Sequence, residues 1–469
     1  MPISVSIGLK VPSVFSILYE FFTIYLSQFH PLAAMGFITT DRFSGFPRVI
    51  SHDVSFDIRT PSATRRRRVP GPQKHAPALP LEIIIDILES AYYDEFLEPN
   101  DQLLRSCALV CRDWSGPAQD LLFRRVSLRS QPAFLSFQKA TDPLTERGRF
   151  LASLVVRMRV TLDSNQPKRL TTPSFAQALT LCPNLYELSI SLYGCENTPQ
   201  PNAIDATRSR RTISRFDEAT IATLRSAPTI SALRYTSSSP NNAHIFQLLD
   251  IWPRVRSLDV GGVPPQIPIL HHSSRYVEEL RINYQTKPSA DFLRWLLPPS
   301  TRTLRVLELE REPSNDMLDY LLTEHGPRLE SLSLPSCTTS QRALVITRCE
   351  NLREFRTETA CGNPTVYKKL PLDIQHVALG VDKETSLESV LKLVKTSDEL
   401  EALTLQIWES GVHHPMLASL KMACAYTGVE LRVTRDVRVF RSLCRGDPVH
   451  SSSYPRTRAL SNLRLMRKP

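Results

Sequence analysis

The chain has 469 residues, 42% of them hydrophobic, enough for about three domains or for one small module and a long array. Its formal charge of +10 is unevenly placed: residues 1–78 carry +5, the stretch from Arg438 onward +7, and the body between them −2. The body is therefore not expected to bind nucleic acid, and the basicity lies in the two ends.

In chain order, Val11–Phe29 is apolar and aromatic, close to the roughly twenty residues that span a bilayer. Pro12, Ser16, Glu20 and Gln28 interrupt it, no basic flank orients it, and Lys10 alone serves as a positive leader region. Membrane anchor, signal peptide and unstructured extension are the three readings. The third is favoured because Met35 can itself serve as a start, so membrane contact is not expected. A linker rich in Ser, Pro and Arg follows. Its Arg65-Arg66-Arg67-Arg68 run reads either as a nuclear import signal or as a solvated charge run.

Ala78–Val126 then packs three short apolar helices into about fifty residues. Pro80 suits a first helical position, because its missing N–H is an orphan there anyway. Leu81, Ile84, Ile85, Ile87 and Leu88 recur at helical spacing and form one broad apolar face. A second helix starts at Asp101 as N-cap and carries Leu103, Leu104, Cys107, Leu109, Val110 and Cys111. Ser115-Gly116-Pro117 is expected to break the helix, and a third segment carries Ala118, Leu121, Leu122 and Phe123. So small a unit buries little surface alone, and its leftover apolar surface points to a partner.

Leu79-Pro80-x-Glu82-Ile83-Ile84-x-x-Ile87-Leu88, then Leu104, Leu109-Val110-Cys111-Arg112-x-Trp114, then Ala118 and Leu122-Phe123, resembles the F-box. Tyr92–Gln102 makes a longer first connection than that family usually has. The resemblance implies docking on the Skp-type adaptor of an SCF ubiquitin ligase, and through it on a cullin. It implies Leu79, Pro80, Ile84, Leu88, Val110 and Trp114 as the adaptor-binding residues. The other reading is an ordinary three-helix element that packs on the rest of the chain.

Beyond residue 145 the chain repeats itself. Segments of the form L-x-x-L-x-L begin at Leu185, Ile230, Val255, Val277, Leu304, Leu329, Leu352, Ile374 and Leu400. After the second, the steps are 25, 22, 27, 25, 23, 22 and 26 residues; the first, of 45, is about two periods and contains the polar insertion Gly194–Arg215. HIFQLLDIW, DFLRWLLP, NDMLDYLL and LESVLKLVK supply a short helix between strands, with Ser289, Ser314 and Ser386 as N-caps. LASLVV at Leu151 reads as the first repeat and ELRV at Glu430 as the last strand. The pattern resembles the leucine-rich-repeat family in divergent form, and the other reading is a single irregular α/β domain. The Asn or Cys expected three residues past the last Leu is present only as Cys337; Tyr193, Val263, Gln285, Glu312, Ala360 or Trp408 stand elsewhere.

The expected class is thus α/β: a small three-helix F-box and then a leucine-rich-repeat-like α/β solenoid, a horseshoe. Residues 1–76 form a disordered extension with a basic linker, 77–128 the F-box, 145–435 the solenoid and 436–469 a basic disordered tail. Strand alternation turns the residues between the inward leucines toward the concave face. Asp259, Glu279, Arg281, Glu308, Glu310, Glu354 and Arg356 there are mixed in sign and suit a charged segment of a protein substrate, its identity unknown. Glu187, Ser189, Arg234, Ser257, His376, Thr404 and Gln406 share that face.

Nine cysteines are scattered without a CxxC pair, Cys107 and Cys111 read as small core residues, and His271-His272 and His413-His414 as solvated loop residues. With no nucleophile, phosphate-loop or metal-ligand pattern, no active site and no cofactor are expected. The resemblance implies a cytoplasmic or nuclear substrate-recognition subunit of a ubiquitin ligase, similar to members of the fungal F-box families, that leaves the chemistry to other subunits. The alternatives are a scaffold that binds the adaptor without ubiquitylating its partner, and a basic-tailed chromatin or membrane-tethered factor.

Overall fold

The computed structural model describes residues 79–94, 99–194, 215–239, 243–265, 276–298, 303–360 and 363–444. Val11–Phe29, Arg65–Arg68, His271-His272 and the residues after 444 lie outside them, as does most of the insertion between Gly194 and Arg215.

Three helices open the described chain: α1 (Leu81–Ser90), α2 (Asp101–Ala108) and α3 (Arg112–Phe123). They close on a core of Ile84, Leu88, Tyr92, Leu104, Cys107, Ala118 and Leu121. The long first connection is part of this unit, since Tyr92 is buried and Tyr93 bridges Pro99. Local details differ from the sequence reading. Pro80 is the N-cap of α1 rather than its first residue, and Asn100, not Asp101, caps α2 by accepting from the Leu103 N–H at 3.1 Å. The expected break at Ser115-Gly116-Pro117 does not occur. The chain turns earlier, at Cys111 in an extended conformation, and α3 runs through Pro117. A proline disturbs the residue before it by crowding that residue's Cβ, and Gly116 has none. Cys111 itself is exposed rather than in the core.

Strand and helix then alternate: β1 (Arg125–Leu128), α4 (Gln131–Ala140), α5 (Glu146–Leu154), β2 (Arg157–Asp163), α6 (Thr172–Thr180) and β3 (Glu187–Tyr193). Next come α7 (Glu218–Ser226), β4 (Ala232–Ser237), α8 (His244–Ile251), β5 (Ser257–Gly262), β6 (Glu279–Tyr284) and α9 (Ala290–Leu296). They are followed by β7 (Val306–Leu309), α10 (Asn315–Glu324), β8 (Ser331–Leu334), α11 (Ser340–Ile346), β9 (Glu354–Ala360) and β10 (His376–Val381). The last five are α12 (Glu388–Thr396), β11 (Ala402–Ile407), α13 (Leu417–Thr427), β12 (Glu430–Thr434) and α14 (Val437–Cys444).

Among the described residues the twelve strands form one parallel sheet in the order β1 to β12, so each strand pairs with its neighbours in sequence. The motif leucines explain this order. Leu188, Leu233, Leu258, Leu280, Leu307, Leu332, Phe355, Val377 and Leu403 stand in register across nine strands, and all are buried. Each contributes roughly 1.5–3 kcal/mol by leaving water. Neither a strand nor a helix could bury its apolar side without the units beside it. Ser289 and Ser314 cap α9 and α10 as expected, but Leu387, not Ser386, occupies the N-cap of α12.

Other expectations are corrected at the ends and in one crossover. LASLVV is not a strand: Leu151 lies on α5, and the strand of that unit is β2. The sheet begins earlier still, with β1 directly behind α3, and α3 packs on both β1 and α5. The helical unit is therefore joined to the sheet without a linker. Across the 45-residue step β3 pairs directly with β4, so among the described residues no strand lies between them in the sheet. At the other end, chain order continues past residue 436 into α14, so the tail starts as a folded helix. At Gly262 a side chain is excluded: φ is +83, and a Cβ there would meet the Ser237 carbonyl oxygen at 2.0 Å.

Candidate functional site

The helical unit leaves an apolar surface uncovered. On α1, Ile84 and Leu88 are one turn apart and face the core, which turns Leu81 and Ile85 outward, also one turn apart. Leu81 is 52% exposed, Ile83 and Ile85 are exposed beside it, and Leu79 just before the helix is 40% exposed. Leu109 ends α2 and is 78% exposed, because the tight turn into extended Cys111 points it away from the core.

Of the residues expected to bind the adaptor, Leu79 and Pro80 lie on this surface and Val110 is half-buried. Trp114 is half-buried against the core, while Ile84 and Leu88 are inside it. Sequence reasoning did not assign Leu81, Ile83, Ile85 and Leu109 to the site. A signal was present: LEIIIDIL is apolar on more sides than one core face requires.

Residues 76–129 match the F-box-like family, so the chain carries an F-box-like domain. That span covers α1 to α3 and runs into β1. No curated protein matches the chain. Among the described residues no helix is long and apolar enough to cross a membrane, and no His, Cys, Asp or Glu cluster is arranged to hold a metal ion.

The second surface is the face of the sheet opposite the motif leucines. The residues expected there do alternate away from the core, but they are not a solvated surface. Arg281, Glu308, Glu354, Arg356, His376, Thr404 and Gln406 are buried, and Asp259, Glu279 and Glu310 are half-buried. Strand register explains this, since Arg234, Asp259, Arg281, Glu308, Ser333, Arg356, Ala378 and Thr404 form one continuous row. Neighbours in the row pair by charge: Arg234 with Asp259 at 2.9 Å, Arg281 with Glu308 at 3.2 Å, and Arg356 reaching back to Glu308 at 3.5 Å. Side chains at the strand spacing of about 4.8 Å stack closely enough to exclude water from one another.

In the adjacent row, Ser331 donates to Glu354 at 2.5 Å and His376 Nδ1 lies 2.8 Å from its other oxygen. The carboxylate can only accept, so Nδ1 carries the proton, and in the neutral imidazole Nε2 accepts from Thr404 at 3.0 Å. Hydroxyl, imidazole and carboxylate are thus in the order of a nucleophilic relay. Thr404, however, has no exposed surface, and the chain of bonds ties β8, β9, β10 and β11 together. A similar correction applies at His414, which is buried rather than solvated. Its Nδ1 accepts from the Met416 N–H at 3.2 Å, and its Nε2 donates to the Thr385 carbonyl at 2.8 Å.

Burial pushes the Glu354 carboxyl up, but Arg356 beside it and the bonds from His376 and Ser331 outweigh this and hold it at about 2. A depressed acid contributes stability that is fully present above its ordinary value of 4.5 and lost as pH falls toward about 2. The contribution is on the order of 3 kcal/mol. Urea unfolding of the wild type should therefore weaken more steeply across that window than that of Glu354→Gln. Parallel pH profiles would remove Glu354 as the source.

Proposed function

We propose that this protein is the substrate-recognition subunit of an SCF-type E3 ubiquitin ligase. The F-box-like domain binds a Skp-type adaptor, and through it a cullin, with Leu79, Pro80, Leu81, Ile83, Ile85 and Leu109. What supports this reading above all is the uncovered apolar surface of α1 and α2 on a domain whose own core is already complete. The sheet, as a divergent leucine-rich-repeat array curved into a horseshoe, presents its polar face to the protein substrate. Asp259, Glu279 and Glu310 are the accessible members of that face; Arg281, Glu308, Glu354 and Arg356 set its charge from within the ladder. Direct continuation of α3 into β1 supports this division of labour, because it holds substrate and ligase in a fixed relation. The chain itself supplies no catalytic step in this reading, and it works in the cytoplasm or nucleus.

Affinity purification of the full chain with mass spectrometry tests the proposal. Recovery of a Skp-type adaptor together with a cullin supports it. Adaptor without cullin favours a scaffold that ubiquitylates nothing, and recovery of neither overturns the reading.

A further inference from the structure

The polar face of the sheet is not empty at its C-terminal end. After β12 the chain reverses through Thr434–Asp436, where the Asp436 side chain accepts from the Arg438 N–H at 2.7 Å and so caps α14. Helix α14 then crosses β12 and β11 on the face away from the main core. The Arg435 carbonyl accepts from Gln406 of β11 at 3.0 Å. Phe440 packs on Ala378 of β10, and the two form a small apolar cluster separate from the core of the array. Arg441 makes two bonds of 2.7 Å each to the two carboxylate oxygens of Glu358 on β9. Its guanidinium also lies in the field of Glu308.

Ala378 is what makes room for this. In its row it stands between Arg356 and Thr404, so a methyl group sits where the neighbours carry larger polar side chains. The Phe440 ring sits in the notch this leaves, with the Glu358 carboxylate beside it on β9. We infer that this strip of β9, β10 and β11 is a peptide-binding subsite occupied in cis by α14. Its partner in trans is a helical segment presenting an aromatic residue followed by an arginine. The inference deepens the substrate-receptor reading and rests on it only for the biological role of that partner.

The means of attachment fits a displaceable occupant. Among the described contacts, the Phe440 ring, the bidentate Arg441–Glu358 pair and the hydrogen bond from Gln406 tie α14 to the sheet, while the array behind it is closed by its own core. A segment with so few buried contacts opens at small cost compared with global unfolding. While α14 is docked, the affinity for a competing segment is reduced by the fraction of molecules that are open. The bidentate pairing is directional, which lets the subsite discriminate arginine from lysine.

The test uses the full chain and a fluorescent peptide of residues 435–443, read by anisotropy. Phe440→Ser with Arg441→Glu should undock α14 and bind the peptide at least tenfold more tightly than the wild type. Ala378→Phe in that background should abolish binding by filling the notch. Glu358→Arg should also abolish it, and a peptide carrying Arg441→Glu should restore it. A chain ending at residue 435 serves as a second undocked form. Equal, weak binding to the wild type and both undocked forms, with the melting transition retained, overturns the inference. So does failure of both undocked forms to fold, since α14 would then be a structural cap. If the peptide binds as expected but undocking leaves the captured client proteins unchanged, the subsite stands and recognition of substrates through this face falls.

Discussion

Leu109→Asp should lower affinity for a Skp-type adaptor by on the order of a hundredfold while leaving the melting transition of the chain nearly unmoved. The side chain is 78% exposed and takes no part in the core of the helical unit, so its replacement costs that unit little. In the proposed complex it would instead be an apolar anchor, and anchors of that kind carry about 2 kcal/mol or more each. A carboxylate forced into the same apolar contact adds a desolvation penalty. Leu79→Ala with Pro80→Ala should act in the same direction, by about tenfold. Ile84→Ala separates surface from core: it should weaken adaptor binding only through loss of the folded helical unit, visible as a lower melting temperature. Calorimetric titration with purified adaptor decides the matter. An affinity unchanged by Leu109→Asp would mean that the exposed face of the F-box-like domain is not what the adaptor grips.

Glu308→Lys should destabilise the array by about 3–5 kcal/mol, the usual result of removing one partner from a buried ion pair and leaving the others uncompensated. Glu308 stands between Arg281 at 3.2 Å and Arg356 at 3.5 Å, and all three are buried. A lysine there would place three cations side by side out of water. Glu310→Lys, two residues on, is the control. Glu310 is half-buried and accepts from Asn283 at 2.5 Å, so its reversal should cost about 1 kcal/mol. Chemical denaturation of the two variants should give clearly separated midpoints. If they coincide, the ladder does not hold the sheet together, and Glu308 behaves as the ordinary surface residue that its position in the motif implies.

The contrast between these two glutamates shows where reading the sequence stops. Both lie on the same strand motif and alternate to the same side, and alternation was read correctly from the leucines around them. Burial of Glu308 depends on arginines 27 residues before it and 48 residues after it in the chain, which meet it only when β6, β7 and β9 come together. Within α1, likewise, periodicity identified an apolar helix. It did not separate Ile84 and Leu88, which the core takes, from Leu81 and Ile85, which it leaves outside.

What the sequence determined by itself is what is local or nearly so. It specified three short helices in Ala78–Val126, strands at the repeating leucines and helices between several of them. A unit in a stacked array buries its apolar side against its immediate neighbours in sequence, so the period of the pattern already contains the packing. Tertiary structure alone decided the rest. It ran α3 through Pro117 and joined it to β1, paired β3 directly with β4 across the double-length step, and buried a ladder of charges that strand alternation had turned outward. It also folded α14 back onto β9 to β11, pairing Arg441 with a carboxylate 83 residues away. Such contacts carry no periodic signature, because their energy comes from charge and shape complementarity between segments that meet only after the sheet has formed.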